Sequence, residues 1–512
     1  MTVRHVELRP GTYRDSVRLM QVSDQLRQVP GVTAALVAMA TPLNMDLAGS
    51  MGFAQPAKAA PDDLLVALAA ADPPAVSAAL DALAALLAEP PPQAGTQLPG
   101  VAPRTVGSAV RRSGANLVLV STPGRYAFLD AMDALDAGAS VLLFSDNVPV
   151  EQEVRLKEVA AARGLLVLGP DCGTAVVGGV GLGFANVVRP GPVGLVAASG
   201  TGAQQVMTLL DAAGVGVSHC LGVGGRDLSG AVAGRCTLAA LDALDADEAT
   251  ELIVLVSKPP AAAVAGAVRA HAAALRTPVV FGLLATAAAG SATAAGSAAG
   301  ADPAAAGGVD LTAVVEQVLR RLDRPVPAWP EWHPTPASAP RAGCLRGLFA
   351  GGTLCAEALA VAATGLGEVR SNLPYAPQWT QGGGGGHYLL DLGADELTEG
   401  RPHPMIDGSG RLARLAAEAG DATCGVVLLD VVLGHGAHPD PAADLAPALA
   451  AAREQGVAAV VSLVGAAGDP QGLDGQAKAL CDAGAAVFAS NAAAARHAVR
   501  LASGASSARG GR

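Results

Sequence analysis

The stretch Val193-Gly-Leu-Val-Ala-Ala-Ser-Gly-Thr-Gly-Ala203 decides the fold class. Residues 193–198 are apolar on both faces, as a strand buried on two sides must be, and the Ser-Gly-Thr-Gly turn leads into a helical pattern over 202–212. A strand follows at 216–223, then a helix at 237–244, a strand at 251–257, a helix at 261–275 and a strand at 277–284. Such alternation specifies a parallel sheet covered on both sides. Upstream the same rhythm runs through strand 117–121, helix 125–136, strand 140–144, helix 151–163 and strand 165–168. Downstream it restarts as strand 345–349, a glycine turn, helix 352–363 and strand 388–392. Helix 412–419, strand 426–432, helix 440–454, strand 458–464, helix 471–482 and strand 486–488 complete it. The C-terminal block thus echoes the middle one. The expected domains are an N-terminal α/β region at 1–87, with a helix at 15–29 and a strand at 31–40, a first unit at 116–190, and two further α/β units at 191–323 and 344–502. Proline-rich linkers are expected at 88–115 and 324–343, a mobile Ala/Gly/Ser/Thr loop at 285–309 and a frayed tail at 503–512. Trp329 and Trp332 in the second linker are expected to dock on a domain surface.

Composition bounds the function. The chain has 512 residues, 51% hydrophobic but only 3% aromatic, so Ala, Val and Leu must build the core. A formal net charge of −11 argues against a nucleic-acid binder, which carries a basic face. The mean hydropathy of +0.38 reflects alanine and buried sheet. No run approaches the ~18 uninterrupted apolar residues of a membrane helix, and residues 1–10 carry Arg4, His5, Glu7 and Arg9 rather than a secretory h-region. The 7 cysteines are widely spaced without a C-x-x-C pair, which reads as thiols in a reducing cytoplasm.

Four motifs can carry chemistry. Ser199, Gly200, Thr201 and Gly202 place small residues and backbone N–H groups at a helix start, a natural anion site; the alternative is an ordinary capped turn. Phe349-Ala-Gly-Gly-Thr-Leu354 repeats the device, and Gly351, Gly352 and Thr353 paired with the first turn would hold a doubly charged phosphate. Gly222-Val-Gly-Gly-Arg-Asp-Leu-Ser-Gly230 brings Arg226 and Asp227 to the carboxyl edge of a sheet, where open α/β sheets bind ligands; the alternative is a loop salt bridge. Glu399-Gly-Arg-Pro-His-Pro-Met-Ile-Asp407 stiffens His403 between two prolines beside Arg401, a bidentate clamp for a carboxylate or phosphate. Lys258, at a strand end, can neutralise an anion or be a solvated loop charge. Asp430, His435, His438 and Asp440 fit no zinc template, so no metal is expected.

These motifs carry a resemblance. Residues 116–174, ending in Gly169-Pro-Asp-Cys-Gly-Thr174, look like the CoA-binding half of succinyl-CoA synthetase α subunits, and the C-terminal module, with Gly351-Gly-Thr353 and Leu389-Leu-Asp-Leu-Gly393, resembles the CoA-ligase domain of the β subunit. Phe144-Ser-Asp-Asn-Val148, Phe184-Ala-Asn-Val187, Gly224-Gly-Arg-Asp-Leu-Ser229, Val256-Ser-Lys-Pro-Pro260 and Arg401-Pro-His-Pro-Met-Ile-Asp407 look like FdrA proteins, a family of acyl-CoA synthetase type. The fold implied is a CoA-binding-like Rossmann unit followed by two flavodoxin-like succinyl-CoA synthetase domains with parallel sheets. Site residues follow: His403, Arg401 and Lys258 as catalytic groups, the two turns as phosphate cradle, and Arg226, Asp227, Asn147 and Asp171 toward the substrate.

The departures from that family matter. Residues 285–309 lack the histidine that succinyl-CoA synthetases phosphorylate, Val254-Leu-Val-Ser-Lys258 lacks the supporting glutamate, and neither the glycine-rich CoA fingerprint nor an ATP-grasp domain is found. A phosphohistidine relay is therefore not expected, which leaves acyl or carbamoyl transfer involving inorganic phosphate, with coenzyme A as a possible further ligand. FdrA-like proteins are implicated, with companion subunits, in oxamate carbamoyltransfer during purine breakdown, so companion subunits and a small organic acid are the expected partners. The alternatives are an NDP-forming acyl-CoA synthetase that needs an ATP-grasp partner, and a non-catalytic scaffold that binds CoA or phosphate.

Overall fold

A computed structural model describes residues 3–12, 16–54, 56, 59–60, 62–88, 103–284, 310–335, 341–374, 376–380, 386–398 and 402–504. The loop expected at 285–309, most of the tail and Arg401 lie outside the described residues. The chain divides into two compact units, Met1–Gly100 and Val101–Arg512.

In the first unit the strand Leu64–Ala70 is wholly buried and central, paired antiparallel with Val3–Arg9 on one side and Val32–Met39 on the other. Helices Ser16–Arg27 and Pro73–Ala88 close one face through Leu19, Leu26, Ala79 and Leu83. The helix and strand expected at 15–29 and 31–40 are present, as Ser16–Arg27 and Val32–Met39.

Among the described residues the second unit contains three sheets. The three-stranded one runs Leu117–Val120, Ser140–Leu143, Val167–Leu168, all parallel. The six-stranded one has the order Val279–Leu283, Leu252–Ser257, Pro190–Ala198, Val217–Gly222, Thr174–Val177, Val180–Gly183, parallel up to Val217–Gly222 and antiparallel beyond. The seven-stranded one runs Glu331–Trp332, Ala485–Phe488, Ala458–Val464, Cys424–Val432, Cys344–Phe349, His387–Asp391, Val369–Ser371, parallel except for its first strand. The interior strands read as largely apolar runs because helices cover both faces; every residue of Cys424–Val432 is buried.

Three expectations on organisation need correction. Residues 88–115 are not all linker: Val106–Ser113 is a helix, because Thr105 and Ser108 form a reciprocal capping box and Gly114 closes it in the left-handed region at φ 70°. Residues 174–183 fell within the unit expected at 116–190, yet they form a hairpin, Thr174–Val177 and Val180–Gly183, that pairs through Val176 with Cys220 and so extends the six-stranded sheet. The second proline-rich stretch contains a short edge strand, Glu331–Trp332, bonded to Phe488 and Val487. Trp329 and Trp332 do dock, each against a buried core.

Two helices position the site. Gly200–Ala212 is buried at every residue from Gly202 to Asp211, and Gly352–Leu366 is buried from Thr353 to Leu359. Both belong to one hydrophobic core that runs from Val193 through Leu354 and Ala358 to Ala498, so the middle and C-terminal modules share an interior. Buried polar bonds lock that junction. Asn186 Nδ2 donates to Leu433 O at 3.0 Å and to Asp469 at 2.7 Å, Gln205 Nε2 donates to Ala489 O at 2.9 Å, and the backbone N–H of Asn491 donates to Gln205 Oε1 at 3.1 Å. A seam made of core packing and buried amide hydrogen bonds is a permanent contact rather than a hinge. No helix among the described residues is long and apolar enough to cross a membrane.

Candidate functional site

The turns 199–202 and 351–353 face each other. Ser199 caps its helix by accepting the N–H of Gly202 at 2.9 Å, and its hydroxyl donates to Thr353 Oγ1 at 2.6 Å across the junction. Glycine is required where the turns touch. A β-carbon on Gly202 would lie 2.9 Å from Thr353 Cγ2, and one on Gly351 would lie 2.7 Å from Thr201 Oγ1. Each helix start leaves orphan N–H groups. Those of Ala350 and Gly351 are taken by the buried carboxylate of Asp430, both at 2.7 Å. The N–H groups of Gly200, Thr201, Gly352 and Thr353 meet no acceptor among the described residues.

Lys258 and Asp391 frame the second turn. A β-carbon on Gly352 would collide with the Asp391 carboxylate and lie 2.6 Å from Lys258 Nζ. Lys258 leaves the end of Leu252–Ser257, and Asp391 ends His387–Asp391, so the parallel sheets deliver both to one edge. Asp391 Oδ1 also accepts the N–H of Gly393 at 3.0 Å.

His403 stands next to this edge. Its Nδ1 accepts the N–H of Met405 at 3.2 Å, which leaves the proton of the neutral ring on Nε2. Nε2 abuts Gly393, which itself lies against the carbonyl of Ala350, and the ring packs at 6.0 Å from Phe184 of the middle module. Burial first, and then the Arg411 guanidinium, push its pKa down to about 4. His403 is thus a neutral hydrogen-bond donor through Nε2 near pH 7.

The third motif is built differently. Asp227 is 0% exposed. It accepts from Lys157 Nζ at 2.7 Å, from the N–H groups of Cys236 at 3.2 Å and Thr237 at 2.9 Å, and from the Thr237 hydroxyl at 2.6 Å. Lys157 is equally buried and also meets Glu153 at 2.7 Å and Val223 O at 3.1 Å. Asp227 therefore has no lone pair left for a substrate; it anchors helix Val150–Ala162 to the loop after Val217–Gly222. Arg226 is held by Glu153 at 3.1 Å and by Val148 O at 2.7 Å. Asn147 and Asp171 are exposed, in the left-handed region at φ 52° and 56°, and Asp171 Oδ2 stands 3.5 Å from where a β-carbon on Gly225 would be. Sequence reasoning missed Lys157, Glu153, Asp391 and Arg411. Lone charges inside otherwise apolar runs, such as Asp430 in Cys424–Val432, are the signal that finds such groups.

With this geometry in place, comparison with known proteins is informative. The chain is 37% identical over 506 residues to the uncharacterized protein YahF of Escherichia coli, covering 96% of this chain and 97% of that one. The chain belongs to the FdrA-like family of the succinyl-CoA synthetase superfamily. Residues 348–501 match the CoA-ligase family model, and residues 1–100 match a family described as AllF, heavy metal-associated domain. In this FdrA-like chain residues 1–100 hold no cysteine and one histidine, His5, whose Nε2 lies 3.2 Å from Glu7, so they offer no thiolate for a soft metal. Over 169 residues the chain is 30% identical to the α subunit 2 of an ADP-forming succinate–CoA ligase of Archaeoglobus fulgidus, spanning 32% of this chain and 58% of that subunit. A solved acetyl-coenzyme A synthetase of Ca. Korarchaeum cryptofilum matches at 15% identity over 77% of this chain and 85% of its own, with a TM-score of 0.27. The superfamily is acyl-CoA ligase-like, and the succinate–CoA ligase relative is a subunit of its enzyme.

Proposed function

We propose that this chain is the enzyme subunit that carries acyl or carbamoyl transfer involving inorganic phosphate, with the phosphate held where the turns 199–202 and 351–353 meet. One observation carries the reading: two helix starts from two modules touch through Ser199 and Thr353, and the N–H groups of Gly200, Thr201, Gly352 and Thr353 find no acceptor among the described residues. Orphan donors and helix dipoles stabilise a dianion there, and Lys258 adds a positive charge beside Gly352.

The finer reading is oxamate carbamoyltransfer with companion subunits. A phosphate oxygen attacks the carbamoyl carbon of oxalurate, the bond from that carbon to the oxamate nitrogen breaks, and the nitrogen takes a proton from solvent, giving carbamoyl phosphate and oxamate. The Nε2 proton of neutral His403 can stabilise charge that develops on the carbonyl oxygen. The assembled complex, given oxalurate and phosphate, is expected to form carbamoyl phosphate; no product with all companions present overturns this reading. A second reading, an NDP-forming acyl-CoA synthetase with coenzyme A bound, is favoured by the CoA-ligase match over 348–501. It needs an ATP-grasp partner, and residues 285–309 lack the relay histidine. CoA-dependent nucleotide hydrolysis in the presence of an organic acid would establish it instead.

A further inference from the structure

Arg411 is 7% exposed and lies in the first turn of Ser409–Gly420. Its Nη1 donates to the backbone carbonyl of Asp430 at 2.7 Å and to the Asp430 carboxylate at 3.0 Å. Nε and Nη2 meet no acceptor among the described residues. Those two nitrogens form the side-on edge of a guanidinium, whose spacing matches the two oxygens of a carboxylate. Leaving the donors of a buried cation unsatisfied is costly, so such an edge calls for an acceptor.

Arg411 lines a crevice between segments 404–412 and 431–445. Its walls are mostly apolar, from Met405, Leu412, Val432 and Leu445. His438 and Asp444 stand on its lining, 3.3 Å apart. The charge balance selects the ligand. Asp430 already offsets Arg411 and Asp444 adds negative charge, which disfavours a dianion more than a monoanion; the unanswered guanidinium donors and the apolar walls then favour a monoanion with a short apolar chain. We infer that this crevice binds a small monocarboxylic acid, with its carboxylate at the Nη2 end of the free edge of Arg411 and its carbon chain against Met405, Leu412 and Leu445. The site is separate from the paired turns. Asp430 stands between them, holding Arg411 with one oxygen and the N–H groups of Ala350 and Gly351 with its two.

Gly408 supplies a clean test. It lines the crevice, has φ −80°, and a β-carbon there would meet nothing within 4 Å, so Gly408→Phe adds bulk at the crevice rim without straining the backbone. Butyrate is titrated into the full chain by ligand-observed NMR at constant ionic strength, with inorganic phosphate titrated in parallel by thermal shift. Saturable butyrate binding is expected in wild type, at least tenfold weaker in Gly408→Phe and in Arg411→Gln, while the phosphate response of Gly408→Phe stays that of wild type. Should Arg411→Gln fail to fold, because Asp430 loses its partner, Gly408→Phe decides alone. Absence of saturable butyrate binding, or equal binding in Gly408→Phe, overturns the inference. So does phosphate that displaces butyrate and loses its own effect in Gly408→Phe, since the crevice would then be a phosphate site.

Discussion

Two clusters of charge sit at strand ends of the second unit, and they are opposites. Both oxygens of Asp227 are fully answered: a lysine, two backbone N–H groups and a hydroxyl surround the one carboxylate. At the paired turns the carboxylate of Asp430 answers only part of the backbone, and four N–H groups remain without an acceptor among the described residues. A buried ion pair that closes on itself holds elements together, whereas donors left over in a built junction are available to a ligand. Sequence alone gave both clusters the same appearance, a glycine turn with a charge nearby.

The comparison is broken most directly by removing one partner from the closed cluster. Asp227→Ala leaves Lys157 buried with only Glu153 and the Val223 carbonyl beside it, and should destabilise the second unit by about 3–5 kcal/mol in chemical denaturation, while the surviving native protein keeps its phosphate response. A loss below about 1 kcal/mol would mean that the cluster is not structural. At the open cluster the expected effect is on binding instead. Gly352→Val drives a branched side chain against Asp391 and Lys258, and should weaken phosphate-dependent thermal stabilisation at least tenfold. Gly200→Ala is the control: its β-carbon would approach only Thr174 Oγ1, at 3.4 Å, so the fold and most of the response should persist. Equal responses in both variants would mean that the turns are only turns.

The smallest effect is on pH dependence. The folded chain holds the His403 pKa at about 4, below its usual 6.5, so the unfolded chain takes up the proton first on acidification. The contribution of His403 is therefore fully present above pH 6.5 and is lost as pH falls toward 4. Glu357, whose carboxyl is pushed up to about 7 by burial, acts in the opposite sense: its contribution is present below about pH 4.5 and lost as pH rises through 7. His403→Asn, which keeps an acceptor for the N–H of Met405, should flatten the acid limb between pH 6.5 and 4 relative to wild type. An unchanged limb would show that His403 is not held neutral by the fold.

Much of the architecture was legible because its cause is local. Apolar runs such as Cys424–Val432 and the glycine turns before Gly200–Ala212 and Gly352–Leu366 announce parallel strands and helix starts without reference to the rest of the chain. Helix Val106–Ser113 was also written locally, in the Thr105 and Ser108 capping box, but nearby prolines masked it. The edge hairpin at 174–183 went unread and fell within the unit bounded at 116–190, because pairing Val176 with Cys220 depends on which strand is exposed at the sheet margin, and periodicity carries no trace of that.

The site divides along the same line. Sequence by itself determined the residue types at the two turns and the flanking prolines of His403, since small residues and stiff backbone are needed wherever such turns occur. Only the tertiary structure decided that Ser199 meets Thr353, that Lys258 and Asp391 converge on Gly352, that Asp227 is spent on Lys157, and that Arg411 keeps one edge free. The partners in these pairs lie from tens to more than a hundred residues apart, and their meeting is set by how the sheets stack and which carboxylate reaches which cation, a many-body packing outcome that neighbours along the chain do not encode.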